Sequence, residues 1–159
     1  MYVIYNIIYV IRNGKTYKLS YAIIFMGSED VHKRNIEELM KDIKEKIRSG
    51  LIVERQKIMG FAASEITCEL FALFLHKKNL ITPGFSVNHR FFSSEKSARE
   101  RFDFDFSNKD ELIRLLVLQE KYRTLLCYGR QKERTVVEEA IKNMQEMKDI
   151  SENELGESE

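Results

Sequence analysis

One arginine occupies a position that the surrounding pattern assigns to a buried helix face. Arg123 follows Leu112 by eleven residues and Leu116 by seven, which is the spacing of one stripe along a helix. Burying an unpaired charge is costly, so this guanidinium needs a carboxylate partner or an interface. Glu120 and Glu139 are available for a structural ion pair, which is the usual interpretation of such a position. A functional cation is the alternative.

The segment 77–101 is rich in positive charge and in aromatic rings. Its local charge is +4, because only Glu95 and Glu100 oppose six basic side chains: Lys77, Lys78, Arg90, Lys96, Arg99 and Arg101. Cations beside aromatic rings suit a phosphate backbone with exposed bases, since they neutralise charge and stack. We therefore predict that nucleic acid is bound by His89, Arg90, Lys96, Arg99 and Arg101.

The alternative for the same segment is a solvated surface whose rings point into the core. Helical spacing favours a buried face for Phe91 and Phe102, and it does so less clearly for Phe92. Charge clustering favours polyanion binding and ring periodicity favours the solvated surface, so both interpretations stay open.

The sequence lacks the common motifs for phosphate, metal or acyl chemistry. It contains no Gly-rich phosphate loop, no His-Glu-x-x-His and no Gly-x-Ser-x-Gly. His32, His76 and His89 lie in separate segments without carboxylates at ligand spacing, so we expect neither a metal site nor a cofactor. Cys68 and Cys127 are expected to be unpaired thiols in a reducing compartment.

Four or five helices are predicted from the 3.6-residue periodicity that begins after Gly27. Turn residues and caps, including Ser28 and the run Thr82-Pro83-Gly84, set their bounds at about 28–50, 53–78, 86–102, 107–129 and 135–148. The stretch 86–102 is a short helix or two irregular turns. Capping boxes are predicted at the starts of the last two helices, Ser107 with Asp110 and Thr135 with Glu138. Short connections predict an up-and-down bundle.

A β-hairpin is predicted over residues 2–26. Two β-rich runs flank Asn13-Gly14, the dipeptide that favours a type I′ turn, and pairing about it places Ile8 opposite Leu19. Because an isolated hairpin is marginal in water, this one must pack on the helices, on a second copy or on a protein partner. The predicted fold class is therefore mainly α (α+β), with a hairpin extension at 1–27, a helical domain at 28–148 and a tail at 149–159.

The order of the helical segments carries a family resemblance. A helix that ends in Arg48-Ser49-Gly50 is followed by Phe61-Ala62-Ala63-Ser64 at the start of a long apolar helix, and then by Lys77-Lys78-Asn79-Leu80-Ile81. After the basic segment, a capped Leu-rich helix ends in Arg-x-x-x-x-Tyr, and Thr-Val-Val-Glu-Glu-Ala-Ile opens the last helix. Over roughly residues 30–150 this order resembles the small prokaryotic HEPN-type helical proteins.

The resemblance implies a bundle of four to five helices that commonly forms a homodimer. Many members are metal-independent ribonucleases of toxin–antitoxin or antiviral systems, and others bind RNA or nucleotides without cleaving them. Their nuclease motif is Arg, four to six residues, then His. Arg123 matches the Arg, and Tyr128 stands where the nearest His would be. These two residues are therefore the candidate catalytic pair.

The chemistry of RNA cleavage favours binding over catalysis for this pair. Metal-free cleavage needs a group that titrates near neutral pH and a cation for the phosphorane. A tyrosine, whose reference pKa is about 10, is a poor general base, and an ideal helix separates the two positions by about 140°. His89 is an alternative base. The leading hypothesis is an RNA-binding or polyanion-binding protein. The alternatives are an endoribonuclease toxin and a non-catalytic interaction module, either antitoxin-like or a virus-encoded inhibitor.

The charge of the whole chain conceals an uneven distribution. Twenty-six basic and twenty-five acidic residues give a net charge of +1. The segment from Asp149 onward holds five acids and no base, so it is expected to be disordered, and residues 1–148 carry 26 − 20 = +6. The apolar start of the chain has no preceding Lys or Arg and is interrupted at Arg12, which predicts a soluble cytoplasmic protein without a membrane segment.

Overall fold

The computed structural model describes residues 5–12, 15–22, 29–82 and 84–156. From residue 29 onward, the described chain is mainly helical, which confirms the prediction of a mainly α fold. It contains five α-helices and one 3₁₀ turn: α1 (Glu29–Arg48), α2 (Gln56–Lys77), the 3₁₀ turn (His89–Phe92), α3 (Glu95–Arg101), α4 (Lys109–Tyr128) and α5 (Arg134–Leu155).

Two strands precede the helices. β1 (Tyr5–Arg12) and β2 (Lys15–Ala22) pair antiparallel, with Ile8 opposite Leu19. The turn predicted at Asn13-Gly14 and the N-cap predicted at Ser28 lie outside the described residues. Both stay predictions, as does the surface on which the hairpin packs.

α2 is the central helix of the bundle, and α1, α4 and α5 all pack on it. His32 near the start of α1 is hydrogen-bonded to Glu69 in the second half of α2, so these two helices run antiparallel. The side-chain amide of Gln56, at the start of α2, donates to the carbonyl of Leu126 near the end of α4 at 3.0 Å, so this pair is antiparallel too. Within residues 29–82 and 84–156, no Cα atom of α1 lies within 8 Å of a Cα atom of α5.

A cluster of aromatic rings fills the core between α2, the 3₁₀ turn and α3. Phe102 is fully buried, and its ring centroid lies 5.1 Å from that of Phe71 and 5.8 Å from that of Phe92. The other rings of the cluster are those of Phe74, Phe85, Phe91, Phe104 and Phe106. Because these rings are large and pack against one another both edge to face and stacked, they fix the irregular segment 86–102 against the long helices.

α1 and α2 end in the same way. Gly50 and Asn79 have φ values of 69° and 56°, a left-handed conformation that lets the next amide turn back to the last helical carbonyls. After α2, the amide of Leu80 donates to the carbonyl of Leu75 at 2.9 Å. The prediction that Thr82-Pro83-Gly84 ends α2 is wrong, because Asn79 has already turned the chain.

The capping boxes predicted for α4 and α5 do not form. The Ser107 hydroxyl is hydrogen-bonded to the carboxylate of Glu154, which also accepts a 2.8 Å bond from the side-chain amide of Asn108. Glu138 accepts a 2.8 Å bond from the guanidinium of Arg134. Both predictions are wrong because the helices start elsewhere: the N-cap of α4 is Asn108, and Thr135 already lies inside α5, whose N-cap is Glu133.

The acidic end of the chain is helical. α5 extends to Leu155, so the prediction of a disordered segment from Asp149 is wrong as far as that residue. Met147 and Ser151 are buried, and the Ser151 hydroxyl donates to the Met147 carbonyl at 2.8 Å. The acids lie on a helix whose other face packs in the core, and burial of that face stabilises it. Residues 157–159 lie outside the described range.

Candidate functional site

Charged side chains converge where α2, the 3₁₀ turn and α4 meet. Glu120 of α4 lies between an imidazole and a guanidinium: its Oε2 is 3.1 Å from Nδ1 of His89, and its Oε1 is 3.9 Å from Nη1 of Arg123. Glu65 of α2 interacts electrostatically with all three. We refer to Glu65, His89, Glu120 and Arg123 as the α4 charge cluster.

The α4 charge cluster is largely shielded from solvent. Arg123 is only 9% exposed, as the stripe spacing predicts. Its carboxylate partner is Glu120, whereas the other candidate, Glu139, accepts a 3.4 Å hydrogen bond from the hydroxyl of Tyr122. Charges in such a site interact more strongly than on the surface, because little water screens them.

Local capping holds His89 in the cluster. The side chain of Asn88 accepts a 2.9 Å bond from the amide of Arg90 and so starts the 3₁₀ turn. Phe92, three residues after His89, is anchored in the aromatic core. These two restraints direct the imidazole toward Glu120 and leave Arg90 exposed on the outside of the turn.

Arg123 retains unused hydrogen-bonding capacity. Its buried Nε has no hydrogen-bond partner in the described part of the chain, and the 3.9 Å separation from Glu120 is longer than a hydrogen bond. A guanidinium offers five N–H donors in a plane that matches phosphate oxygens. The cluster therefore contains a positioned cation whose donors Glu120 does not saturate.

Burial raises the pKa of the Glu65 carboxyl above its ordinary value. The positive charges of His89 and Arg123 oppose this rise, whereas the negative charges of Glu69 and Glu120 add to it. Glu65 is therefore a carboxyl that holds its proton to higher pH than an exposed one. Together with an imidazole and a guanidinium, it gives the cluster groups that can exchange protons and bind anions.

Tyr128 contacts Arg123 through its ring. The guanidinium carbon of Arg123 lies 5.7 Å from the ring centroid of Tyr128, and Tyr128 is 73% exposed. An ideal helix places Arg123 and Tyr128 about 140° apart, but the Arg123 side chain is long enough to reach the ring. No hydrogen bond joins the Tyr128 hydroxyl to any described residue, so the geometry gives Tyr128 a cation–π role and offers no support for a general base.

The predicted nucleic-acid residues are distributed over different environments. Arg90 is exposed, and Lys96 is an exposed side chain 3.9 Å from Glu100. Arg99 donates to Asp110 at 2.6 Å. Arg101 stacks over the rings of two phenylalanines, at 5.3 Å from Phe85 and 4.7 Å from Phe91. Arg90 and Lys96 are therefore the freest cations of this set, and His89 belongs to the α4 charge cluster.

The rings of the basic segment are not available to bases. Phe92 is 1% exposed and stacks on Phe102, so a base-stacking role for it is wrong. Phe85 and Phe91 are half-buried and lie under Arg101. The rings pack inward because they are the large apolar side chains of this segment, and Ala98 of α3 is buried with them. The exposed side chains of residues 86–102 are polar, and they include the cations Arg90, Lys96, Arg99 and Arg101.

A second histidine–carboxylate cluster lies between α1 and α2 and was not foreseen from the sequence. Glu69 is hydrogen-bonded to Nδ1 of His32 and accepts a 2.9 Å bond from the side-chain amide of Asn35. The His76 ring stacks on that of His32 at a centroid distance of 5.2 Å. Burial, and then the neighbouring His32, lower the pKa of His76. We refer to His32, Asn35, Glu69 and His76 as the α1–α2 cluster. The feature of the sequence that could have indicated this cluster is the seven-residue spacing of Glu69 and His76, which places both on one face of a helix.

Neither cluster has the composition of a metal centre. Among the described residues, no group of three or more His, Cys, Asp or Glu side chains is arranged to hold a metal ion. Burial raises the pKa of both cysteine thiols, that of Cys68 well above its ordinary value, so neither is an activated nucleophile.

The comparisons with known proteins leave the family open. No protein-family model matches this chain, and no curated protein or solved structure matches it either. Among the described helices, α2 is long and apolar enough to cross a membrane, but 78% of its most apolar window is buried inside the bundle. That burial is typical of the core helix of a water-soluble protein.

Proposed function

We propose that this chain is a HEPN-like helical protein that binds RNA or another polyanion, of the kind found in toxin–antitoxin or antiviral systems. The observation that carries the proposal is the α4 charge cluster, in which one carboxylate holds both His89 and Arg123. Arg123 occupies the position of the family's motif arginine, and its guanidinium has donors left for a phosphate.

The cations outside the cluster support the same proposal. Arg90 directly follows His89 in the 3₁₀ turn, and Lys96 is the second residue of α3. Both are exposed, so they can neutralise phosphates that lead toward the cluster. Binding of this kind releases counterions and weakens as salt rises.

A fluorescence anisotropy titration with labelled single-stranded RNA tests the proposal. At about 50 mM salt we expect binding, and at about 200 mM salt we expect it to weaken strongly. Replacing both Arg90 and Lys96 by Glu should weaken binding about tenfold, because two phosphate contacts become repulsive. The matched control is Lys142→Glu, an exposed lysine on α5. Absent binding at low salt, or equal affinity of the double variant and the control, contradicts the proposal.

A metal-independent endoribonuclease is the second candidate function, and the His89–Glu120 contact favours it. A carboxylate bound to one imidazole nitrogen orients the ring and leaves the other nitrogen to move a proton. His89 Nε2 would take the proton from a ribose 2′-hydroxyl, whose oxygen attacks the adjacent phosphorus. The 5′-oxygen would then leave with a proton from water, which His89 Nε2 replaces by returning the proton that it took, and a 2′,3′-cyclic phosphate would remain. Arg123 would stabilise the charge on the phosphorane.

Single-turnover cleavage of labelled RNA separates binding from catalysis. If the chain is a nuclease, His89→Gln abolishes cleavage and leaves RNA affinity within about threefold of the parent. Tyr128→Phe is the matched control and retains cleavage, since its hydroxyl has no partner in the described residues. Cleavage that survives His89→Gln rejects His89 as the base, and no cleavage by the parent chain rejects this function.

A homodimer is part of the proposed function, and an exposed apolar patch supports it. Ile58 and Phe61 of α2 are 43% and 48% exposed, and Leu125 and Tyr128 of α4 are 44% and 73% exposed. The two helices meet closely here, because a Cβ on Gly60 would lie 2.7 Å from the Cβ of Leu126. Contiguous exposed apolar surface of this kind marks interaction sites.

Multi-angle light scattering tests the patch as the contact between two copies. We expect a dimer for the parent chain and a monomer for Phe61→Glu combined with Leu125→Glu, because each charge would be desolvated twice in a symmetric interface. Lys142→Glu is the control, since Lys142 is exposed on α5, a helix that contributes no residue to the patch. A monomeric parent chain contradicts the homodimer.

A further inference from the structure

A groove of about 630 Å³ lies between α1 and α5, on the part of the molecule away from the α4 charge cluster. Both helices pack on α2 but not on each other, so α2 forms the floor. The floor and lower walls are apolar and comprise Ile36, Met40, Leu70, Leu73 and Leu155. We refer to this feature as the α1–α5 groove.

The groove occupies the place where a further helix would complete the bundle. Helices in direct contact lie about 8–10 Å apart, and no Cα atom of α1 lies within 8 Å of a Cα atom of α5 in residues 29–82 and 84–156. Ile36, Leu70 and Leu73 at the floor are already buried, so the apolar surface that remains open to an occupant is mainly that of the half-buried Met40 and Leu155. An element in the gap would contact α1, α2 and α5 together.

One wall of the groove carries an excess of positive charge. Lys33, Lys41, Lys44 and Arg48 line it from α1, and none of them forms an ion pair within 4.0 Å of a described carboxylate. The carboxylates of the groove are fewer. Glu45 is paired with Lys46 at 2.7 Å and also interacts electrostatically with Lys41, and Glu152 is paired with Lys148 at 2.5 Å, which leaves Glu37. The wall is therefore electropositive next to an apolar floor.

We propose that the α1–α5 groove binds an acidic amphipathic helix of a partner protein. The apolar stripe of that helix would lie on the floor, and its Asp and Glu side chains would face the lysines and the arginine of α1. Helix-in-groove recognition uses such a floor, with anchors at i, i+3, i+4 and i+7. Residues 33–48 span about 22 Å, which matches about fifteen residues of a bound helix.

Charge complementarity decides the class of occupant. An acidic helix relieves the repulsion among the α1 cations and is steered to them, whereas a basic or neutral helix does neither. The groove is open on the side away from α2, and small-molecule sites enclose most of their ligand. A helix that keeps one polar face in water fits this shape.

A designed peptide tests the proposal on the full chain. The probe is a fluorescein-labelled peptide of about sixteen residues with Leu at helical i, i+3, i+4 and i+7 spacing and Glu on the flanks. The control peptide has the same composition in scrambled order. We expect the first peptide to bind and the second to bind at least about tenfold more weakly, because only the first presents an apolar stripe.

Variants of the groove locate the binding. Lys41→Glu combined with Lys44→Glu should weaken the peptide about tenfold through charge repulsion, whereas Lys142→Glu outside the groove should leave the affinity unchanged. Met40→Asp should weaken it comparably through the floor, since Met40 is half-buried. Far-ultraviolet circular dichroism establishes that each variant is folded. Equal affinities for the two peptides, or no effect of the groove variants, overturn the proposal.

A photocrosslinking residue in place of Lys44 identifies what occupies the groove. An adduct with the acidic peptide, mapped by mass spectrometry, supports the proposal. If the crosslinker instead captures residues 5–22 of the same chain or a second copy, and the peptide does not compete, the groove is an internal or self-association surface and the proposal is overturned. Absence of peptide binding at about 100 μM protein also overturns it.

Discussion

The two histidine–carboxylate clusters are built on carboxylates of different helices, Glu69 of α2 and Glu120 of α4, and differ in how these carboxylates are bonded. In the α1–α2 cluster, Glu69 is bonded to His32 through one oxygen and to Asn35 through the other. In the α4 charge cluster, Glu120 is bonded to His89, and its other oxygen lies 3.9 Å from Arg123. The first carboxylate has two hydrogen-bond donors, and the second has one donor and a cation beyond hydrogen-bond distance.

The difference separates a structural arrangement from a candidate site. The carboxylate of the α1–α2 cluster has its polar contacts within the fold. The α4 charge cluster contains an arginine with an unpartnered buried Nε and, in Glu65, a carboxyl whose pKa is raised by burial. Both clusters contain buried polar atoms without a partner among the described residues, since Nε2 of His32 and Nε2 of His76 also lack one. The clusters therefore differ in the kind of group that is left: the second offers a guanidinium that an anionic ligand can bind, whereas the first offers imidazole nitrogens.

The largest expected effect is on Arg123. Arg123→Met leaves Glu65 and Glu120 without their common cation, so we expect a loss of about 3 kcal/mol in the free energy of unfolding. Urea denaturation measures it. Lys121→Met, an exposed neighbour on α4, is the control and should change stability by less than about 0.5 kcal/mol. Similar losses for both variants would mean that Arg123 is not held by the cluster.

A matched pair of isosteric changes on α2 compares the two clusters directly. Glu69→Gln should destabilise the chain by about 1–2 kcal/mol, because His32 and Asn35 lose a charged acceptor. Glu65→Gln, one turn earlier, should be neutral or stabilising at neutral pH, since it removes a desolvated carboxyl. Thermal unfolding of the two variants decides. Equal destabilisation by both variants would show that the two carboxyl groups contribute alike to stability, which contradicts the difference between the clusters.

The two clusters should depend on pH in opposite senses. The folded-state pKa of Glu65 is raised above 4.5, so its contribution favours the folded state less as pH rises above that value. The folded-state pKa of His76 is lowered below 6.5, so its contribution is lost as pH falls below that value.

Unfolding free energies between pH 4.5 and 6.5, the ordinary values of the two groups, test this opposition. Relative to the parent chain, Glu65→Gln should make stability rise more steeply with pH, and His76→Gln should make it rise less steeply. Solvent screening keeps the Glu65 effect below about 1 kcal/mol. Slopes that change in the same direction would contradict the opposition.

The smallest expected effect is on Tyr128. Tyr128→Leu removes a cation–π contact at an exposed site, so we expect a loss of about 0.5 kcal/mol or less in unfolding free energy. Tyr128→Phe keeps the ring and serves as the control with no expected change. A loss above about 2 kcal/mol for Tyr128→Leu would place this residue inside the α4 charge cluster rather than at its rim.

Periodicity predicted the parts of this molecule that depend on local sequence. The bodies of the long helices, the end of α1 near Gly50 and the burial of Arg123 follow from apolar spacing and turn chemistry. Each of these features is determined within one or two helical turns, where neighbouring residues decide the backbone conformation.

The wrong or missing predictions concern groups that meet from distant parts of the chain. His89 and Glu120 are 31 residues apart in sequence, and His32 and Glu69 are 37 apart, so no local pattern pairs them. Tertiary packing of Phe92 drew it inward, and Glu154 took the hydroxyl that was expected to cap α4. Packing outside the local window outweighs weak local preferences of this kind.

Glu154 joins three segments of the chain through hydrogen bonds, which restricts when these contacts can form during folding. Its carboxylate binds Ser107 and Asn108 at the entry to α4, and its backbone carbonyl accepts a 2.9 Å bond from Lys78 just beyond α2. During synthesis, none of these bonds can form until α5 has been made to its last turn. α1, α2 and α4 must therefore leave the ribosome with this junction open, and its closure is a late step of folding.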